Sequence, residues 1–129
     1  MIRQRLLNAV AGAGLLLVVL EFSALQFNLY WRLWWLDIPM HLLGGVFVSL
    51  LLLWFFFFSG YVRVPLVSSR VFFLYMIGGA FLVGTWWEIL EASFGVGGGF
   101  GGYWFDTIKD ICMDVLGALA AYLFMRRRL

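Results

Sequence analysis

DTIKDICMDVLGA, residues 106–118, sets Asp106, Asp110 and Asp114 four residues apart inside an otherwise apolar segment. At 3.6 residues per helical turn this spacing lays all three carboxyls on one stripe, with isoleucine, cysteine, methionine, valine and leucine around the rest. The segment is the front half of one of four apolar stretches, residues 6–29, 36–58, 71–94 and 103–125. Each is close to the ~20 residues that a helix needs to cross a hydrocarbon core ~30 Å thick. A strand reading fails because the apolar runs are continuous instead of alternating. Composition agrees: 64% of residues are hydrophobic, 20% aromatic and 12% charged, and the mean hydropathy is +0.98. The expectation is an all-α integral membrane protein, a single domain over residues 1–129 built as a four-transmembrane-helix bundle.

Arg3 and Arg5 precede the first stretch, whose length exceeds a signal-peptide core and which no A-x-A site ends. It reads as an uncleaved signal anchor. Arg3, Arg5, Arg63, Arg70, Arg126, Arg127 and Arg128 are seven of the nine basic residues and flank alternate ends of the four stretches. The positive-inside rule assigns that side, and both termini, to the cytoplasm of an inner-membrane protein. The terminal arginines read as an anchor for anionic lipid and not as a nucleic-acid patch. Lone Cys112 reads as a buried packing residue.

This orientation gives each polar residue a depth. Asp37 and His41 enter from outside in the second stretch, Glu88 and Glu91 close the third, and Asp106, Asp110 and Asp114 open the fourth. Glu21 lies in the outer part of the first. All seven acids and the single histidine therefore fall in one extracytoplasmic slab, beside Trp31, Trp34, Trp35, Trp86, Trp87 and Trp104, which read as an interfacial belt. Pairs at i,i+4 (Asp37 and His41) and i,i+3 (Glu88 and Glu91) share helix faces and can point into a bundle interior. The small residues Gly44 and Gly45, Ala80 and Gly84, and Gly117 and Ala121 allow helices to approach closely. GVGGGFGG, residues 95–102, reads as a flexible connector.

Only Lys109, Arg32 and a protonated His41 oppose seven carboxyls in that slab. Bound cations or protons must supply the balance. The expected arrangement is a divalent metal, Mg, Mn, Ca or Zn, on Glu88, Glu91, Asp106, Asp110 and Asp114, with Asp37 and His41 as a general acid/base pair.

Asp37-x-x-x-His41-x-x-Gly44, Glu88-x-x-Glu91 and Asp106-Thr107-x-x-Asp110-x-x-x-Asp114-x-x-Gly117-Ala118 together resemble the YjdF-like family of small bacterial inner-membrane proteins and, more distantly, VanZ-like proteins, over residues 37–118. The resemblance implies a membrane fold and a family site at those seven acidic and histidine positions. It implies no particular reaction. The Asp-x-x-x-Asp-x-x-x-Asp helix also resembles the end of the metal motif of CDP-alcohol phosphotransferases, whose first half is missing here.

Three functions fit these readings. The first is a metal-dependent membrane hydrolase or transferase acting on a lipid headgroup or polyisoprenyl phosphate. The second is a cation or proton transporter or channel working as a homo-oligomer. The third is a non-catalytic accessory or assembly subunit for a membrane protein partner. Membrane lipid is the expected surrounding in each.

Overall fold

The computed structural model describes residues 2–62, 64, 68–95 and 102–127, and every regular element among them is helical. Helix α1 runs over Ile2–Gln26 and ends where Asn28 takes a left-handed φ of 52°, a conformation asparagine tolerates better than most residues. That turn closes the first segment three residues before the expected position 29. A single turn, α2 (Leu29–Arg32), leads into α3 (Asp37–Leu53), which continues through a π-helical turn at Trp54–Phe58. The next rod is assembled from α4 (Ser69–Phe73), a second π-helical turn at Leu74–Gly78, and α5 (Gly79–Phe94). Ser68 caps its start by accepting from the Val71 amide, and Gly95, at φ 67°, ends it. Helix α6 covers Tyr103–Met125. Most of the glycine connector expected at 95–102 lies outside the described residues, as do Arg63 and Arg128.

Among the described residues, three helical rods are long and apolar enough to cross a membrane: Ile2–Gln26, Asp37–Phe58 and Ser69–Phe94. Helix α6 has the length, at 23 residues, but Asp106, Lys109, Asp110 and Asp114 set it apart by composition.

Contacts fix which ends lie together. Leu6 and Val10 of α1 share a core with Leu50 and Leu53 of α3, Met76, and Ala121 and Met125 of α6. Arg3 donates to the Ser59 carbonyl at 2.7 Å and the Tyr122 hydroxyl to the Ser69 carbonyl at 3.3 Å. The start of α1, the end of α3, the start of α4 and the end of α6 therefore gather at one end, where Arg3, Arg5, Arg70, Arg126 and Arg127 also fall. The two π turns face each other there, with Tyr75 edge-on to Phe56 and Phe57 at centroid distances of 4.9 and 5.2 Å. The opposite end collects the start of α3, the end of α5 and the start of α6, with Trp31, Trp34, Trp35, Trp86, Trp87 and Trp104 exposed around it.

Helices α3 and α6 meet backbone to backbone. A Cβ on Gly45 would run into the Asp114 carbonyl, and one on Gly117 into the Leu42 carbonyl. The small residues recognised in the sequence thus permit the closest crossing in the fold. Cys112 differs from its expected burial: two residues from both Asp110 and Asp114, it sits on the opposite face of α6 and is exposed.

Gly45→Ala and Gly117→Ala should each lower stability by ~1–3 kcal/mol or more through forced separation of α3 and α6. Gly78→Ala, whose added Cβ meets nothing within 4 Å, should be neutral or stabilising. Thermal unfolding of the three variants in one detergent checks this, and equal melting temperatures would refute the tight crossing.

Candidate functional site

His41 stands at the centre of the Trp-rimmed end, one turn inside α3 from Asp37. Its Nδ1 lies 3.3 Å from Asp114 Oδ2 on α6, the one hydrogen bond of the ring among the described contacts. Asp114 is held for this role by packing: its carboxylate fits between α3 and α5, where a Cβ on Gly44 would make an ordinary 3.5 Å contact with Oδ1 and any Cβ on Gly84 would strike Oδ2. Three helices thus close on one buried carboxylate. With Asp114 accepting from Nδ1–H, the imidazole tautomer is set and Nε2 turns its lone pair the other way.

Nε2 faces a ring of carboxylate oxygens: Asp37 Oδ1 at 3.5 Å, Asp110 Oδ2 at 3.9 Å and Glu88 Oε1 at 4.0 Å. These separations exceed the 2.7–3.2 Å of an N–H···O bond. They are close to the spacing of donor atoms that share one metal, whose own bonds are ~2.0–2.2 Å for nitrogen and oxygen ligands. Glu88 is buried, and its Oε1 has no hydrogen-bond partner. Asp37, His41 and Asp110 offer ligand atoms that all lie within 4.8 Å of one another, a group that could hold a metal ion.

The second oxygens of the same aspartates are engaged by Lys109. Its Nζ lies 3.2 Å from Asp37 Oδ2, 3.1 Å from Asp110 Oδ1 and 2.8 Å from Asp106 Oδ1. Asp37 and Asp110 therefore each turn one oxygen to the ammonium and the other toward His41 Nε2. Five carboxyls (Asp37, Glu88, Asp106, Asp110 and Asp114) share this space with two basic groups, Lys109 and His41. Fully ionised, the group carries an excess negative charge that no described side chain balances. Buried like charges at these distances demand a counter-cation or protons.

The sequence-derived residues separate accordingly. Asp37, His41, Glu88, Asp106, Asp110 and Asp114 come together; Glu91 lies one turn outward, where its Oε1 accepts from Trp87 Nε1 at 2.8 Å. Glu21 belongs to a different pair, accepting from the Tyr30 hydroxyl at 2.5 Å. Burial, and then that carboxylate, hold the Tyr30 phenol well above the ordinary tyrosine range. The clamp formed by Lys109 and the cradle formed by Gly84 were not assigned a site role from sequence. Lys109 follows Asp106 by three residues on α6, a spacing that signals their ion pair; Gly84 is marked only by its small size.

Removing both partners of the His41 and Asp114 contact tests the coupling directly. A double-mutant cycle over His41→Ala and Asp114→Asn should return an interaction energy of about 1–3 kcal/mol, as for residues in one polar network. A value within about 0.5 kcal/mol of zero would mean that the contact contributes nothing.

No curated protein and no solved structure matches the chain significantly. A family model does, across residues 4–129 and so through every element that builds the site. The chain belongs to the DUF2238 family of predicted membrane proteins.

Proposed function

We propose that this chain is an inner-membrane protein of four spans with cytoplasmic termini, and that a divalent cation sits in the outer half of its membrane domain on His41 Nε2, Asp37 Oδ1, Glu88 Oε1 and Asp110 Oδ2. The observation that carries the proposal is the outward-turned Nε2 facing three carboxylate oxygens at 3.5–4.0 Å, one of them buried without a hydrogen-bond partner. The geometry favours His41 and Asp37 as ligands over an acid/base pair, and leaves Asp106 and Asp114 to orient Lys109 and His41. Glu91 stands outside the set. A finer kinship with YjdF-like proteins is part of the same reading.

The donor set narrows both ion and chemistry. One imidazole and three carboxylates complete a four-coordinate zinc site but leave two positions open on a six-coordinate Mg²⁺ or Mn²⁺. Open positions are what a hydrolase or transferase requires, to polarise a phosphoryl oxygen and lower the pKa of a bound water. The exposed tryptophan rim around the site's end supports a position for such an ion near headgroup depth. A lipid headgroup or polyisoprenyl phosphate at the outer leaflet is the substrate class that meets these conditions.

Elemental analysis of the detergent-purified protein should find about one divalent metal per chain, removable by chelation. His41→Ala, Asp110→Asn and Glu88→Gln should each weaken binding by at least ~100-fold, the upper end of what outer-shell changes alone cost. Glu91→Gln and Glu21→Gln should leave it intact. Full metal content in the first three variants would sink the assignment. For topology, a fluorescent protein fused to the C-terminus should glow and an alkaline phosphatase fused there should stay inactive; the reverse pattern would invert the orientation.

A further inference from the structure

The side chains of the site form two layers of different exposure. Asp37 is 30% exposed, Lys109 22% and Asp106 14%, whereas His41 is 10%, Asp114 9%, Glu88 6% and Asp110 3%. Lys109 lies in the outer layer, donating hydrogen bonds to Asp37 and Asp106 at 3.2 and 2.8 Å, and its ammonium also lies 3.1 Å from Asp110 Oδ1 as an ion pair. The inner layer holds the buried Glu88 Oε1 that lacks a hydrogen-bond partner, 4.0 Å from His41 Nε2. Asp37 and Asp110 connect the layers through their two oxygens.

We infer that Lys109 is a tethered latch: its ammonium lies across the more exposed side of the carboxylate chamber and governs the rate at which a divalent cation is taken up and released. This rests on the cation reading above. Cation and ammonium use different oxygens of the same two aspartates, so the ion is held while the latch is shut. To reach Nε2 from the exposed side, a cation passes the layer of Asp37, Lys109 and Asp106. There it meets both a fixed positive charge and a carboxylate already engaged. A lysine suits the task because its four-carbon stem lets the ammonium leave Asp37 for the interfacial water while the rest of the chain stays packed. The i,i+3 partner Asp106, on the latch's own helix, keeps the ammonium near the mouth.

Two variants separate latching from simple charge compensation. The protein, reconstituted in nanodiscs, is loaded with Mn²⁺ as the probe, and its release into excess chelator is followed by electron paramagnetic resonance. Lys109→Met should release and take up Mn²⁺ faster by about tenfold or more, the low end of what removing a local field does to ion access rates. Lys109→Arg should exchange at close to the parent rate. If Lys109→Met does not fold, Asp106→Asn supplies the second measurement: it removes one of the latch's three anchors without touching the four proposed ligand atoms, and should also speed exchange. Mn²⁺ bound normally but exchanging at the parent rate in Lys109→Met, or in Asp106→Asn if that is the folded variant, would overturn the latch and leave the metal site standing. Failure of the parent protein to bind Mn²⁺ would overturn both.

Discussion

Asp114 is the residue on which the arrangement turns. It lies where α3, α5 and α6 converge, close enough to Gly45 and Gly84 that neither position admits a Cβ without displacing it. A buried carboxylate is costly unless its oxygens are satisfied, and Oδ2 meets that condition through His41 Nδ1. Packing and electrostatics therefore demand the same geometry. Glycine holds the helices near enough for the carboxylate to reach across, and the carboxylate, once there, dictates which nitrogen of His41 faces the chamber.

From this contact the rest of the chamber follows. His41 is carried one turn below Asp37 on α3, so orienting the ring brings Asp37 beside Nε2. Asp110 lies one turn above Asp114 on α6 and arrives from the other side. Glu88 is one turn past Gly84 on α5, so the same close approach that admits Asp114 delivers it. The resulting crowd of carboxylates makes α6 the most highly charged of the long helices. An aspartate or lysine at the centre of a membrane helix costs ~2.5–3.5 kcal/mol on insertion scales. Helix α6 is consistent with such a cost because its charged stripe faces α3 and α5, and Lys109 meets three carboxylates there.

Much of this was legible in the sequence because membrane helices reveal themselves through composition and their inward faces through spacing. The i,i+4 and i,i+8 aspartates share a face as expected, and Asp37 and His41 adjoin them. What spacing could not supply is rotation about each helix axis. Glu91 shares a face with Glu88 to within the 3.6-residue period, yet it lies one turn further out and bonds Trp87 instead. Cys112 shows the converse: position within an apolar helix suggested burial, but its angle from the Asp110 and Asp114 stripe decides exposure. The partner of Glu21, Tyr30, lies beyond a turn created by a single left-handed Asn28. A local backbone reversal of that kind leaves no periodic signature.

The depth at which the polar residues stop bears on what the chamber can do. Beyond Asp114 the α3 and α6 backbones touch at Gly45 and Gly117, and the buried side chains continuing toward the basic end include Leu50, Leu53, Met76, Ala121 and Met125, with Ser49 and Ser59 as the polar ones among the described residues. An ion moving through that layer would exchange carboxylate oxygens for methyl and methylene groups, with Ser49 committed to the Val46 carbonyl at 2.9 Å. Desolvation on that scale is prohibitive without a relay of polar groups. Among the described residues, the buried carboxylates stop at Asp114, and the buried layer beyond it is apolar apart from Ser49 and Ser59.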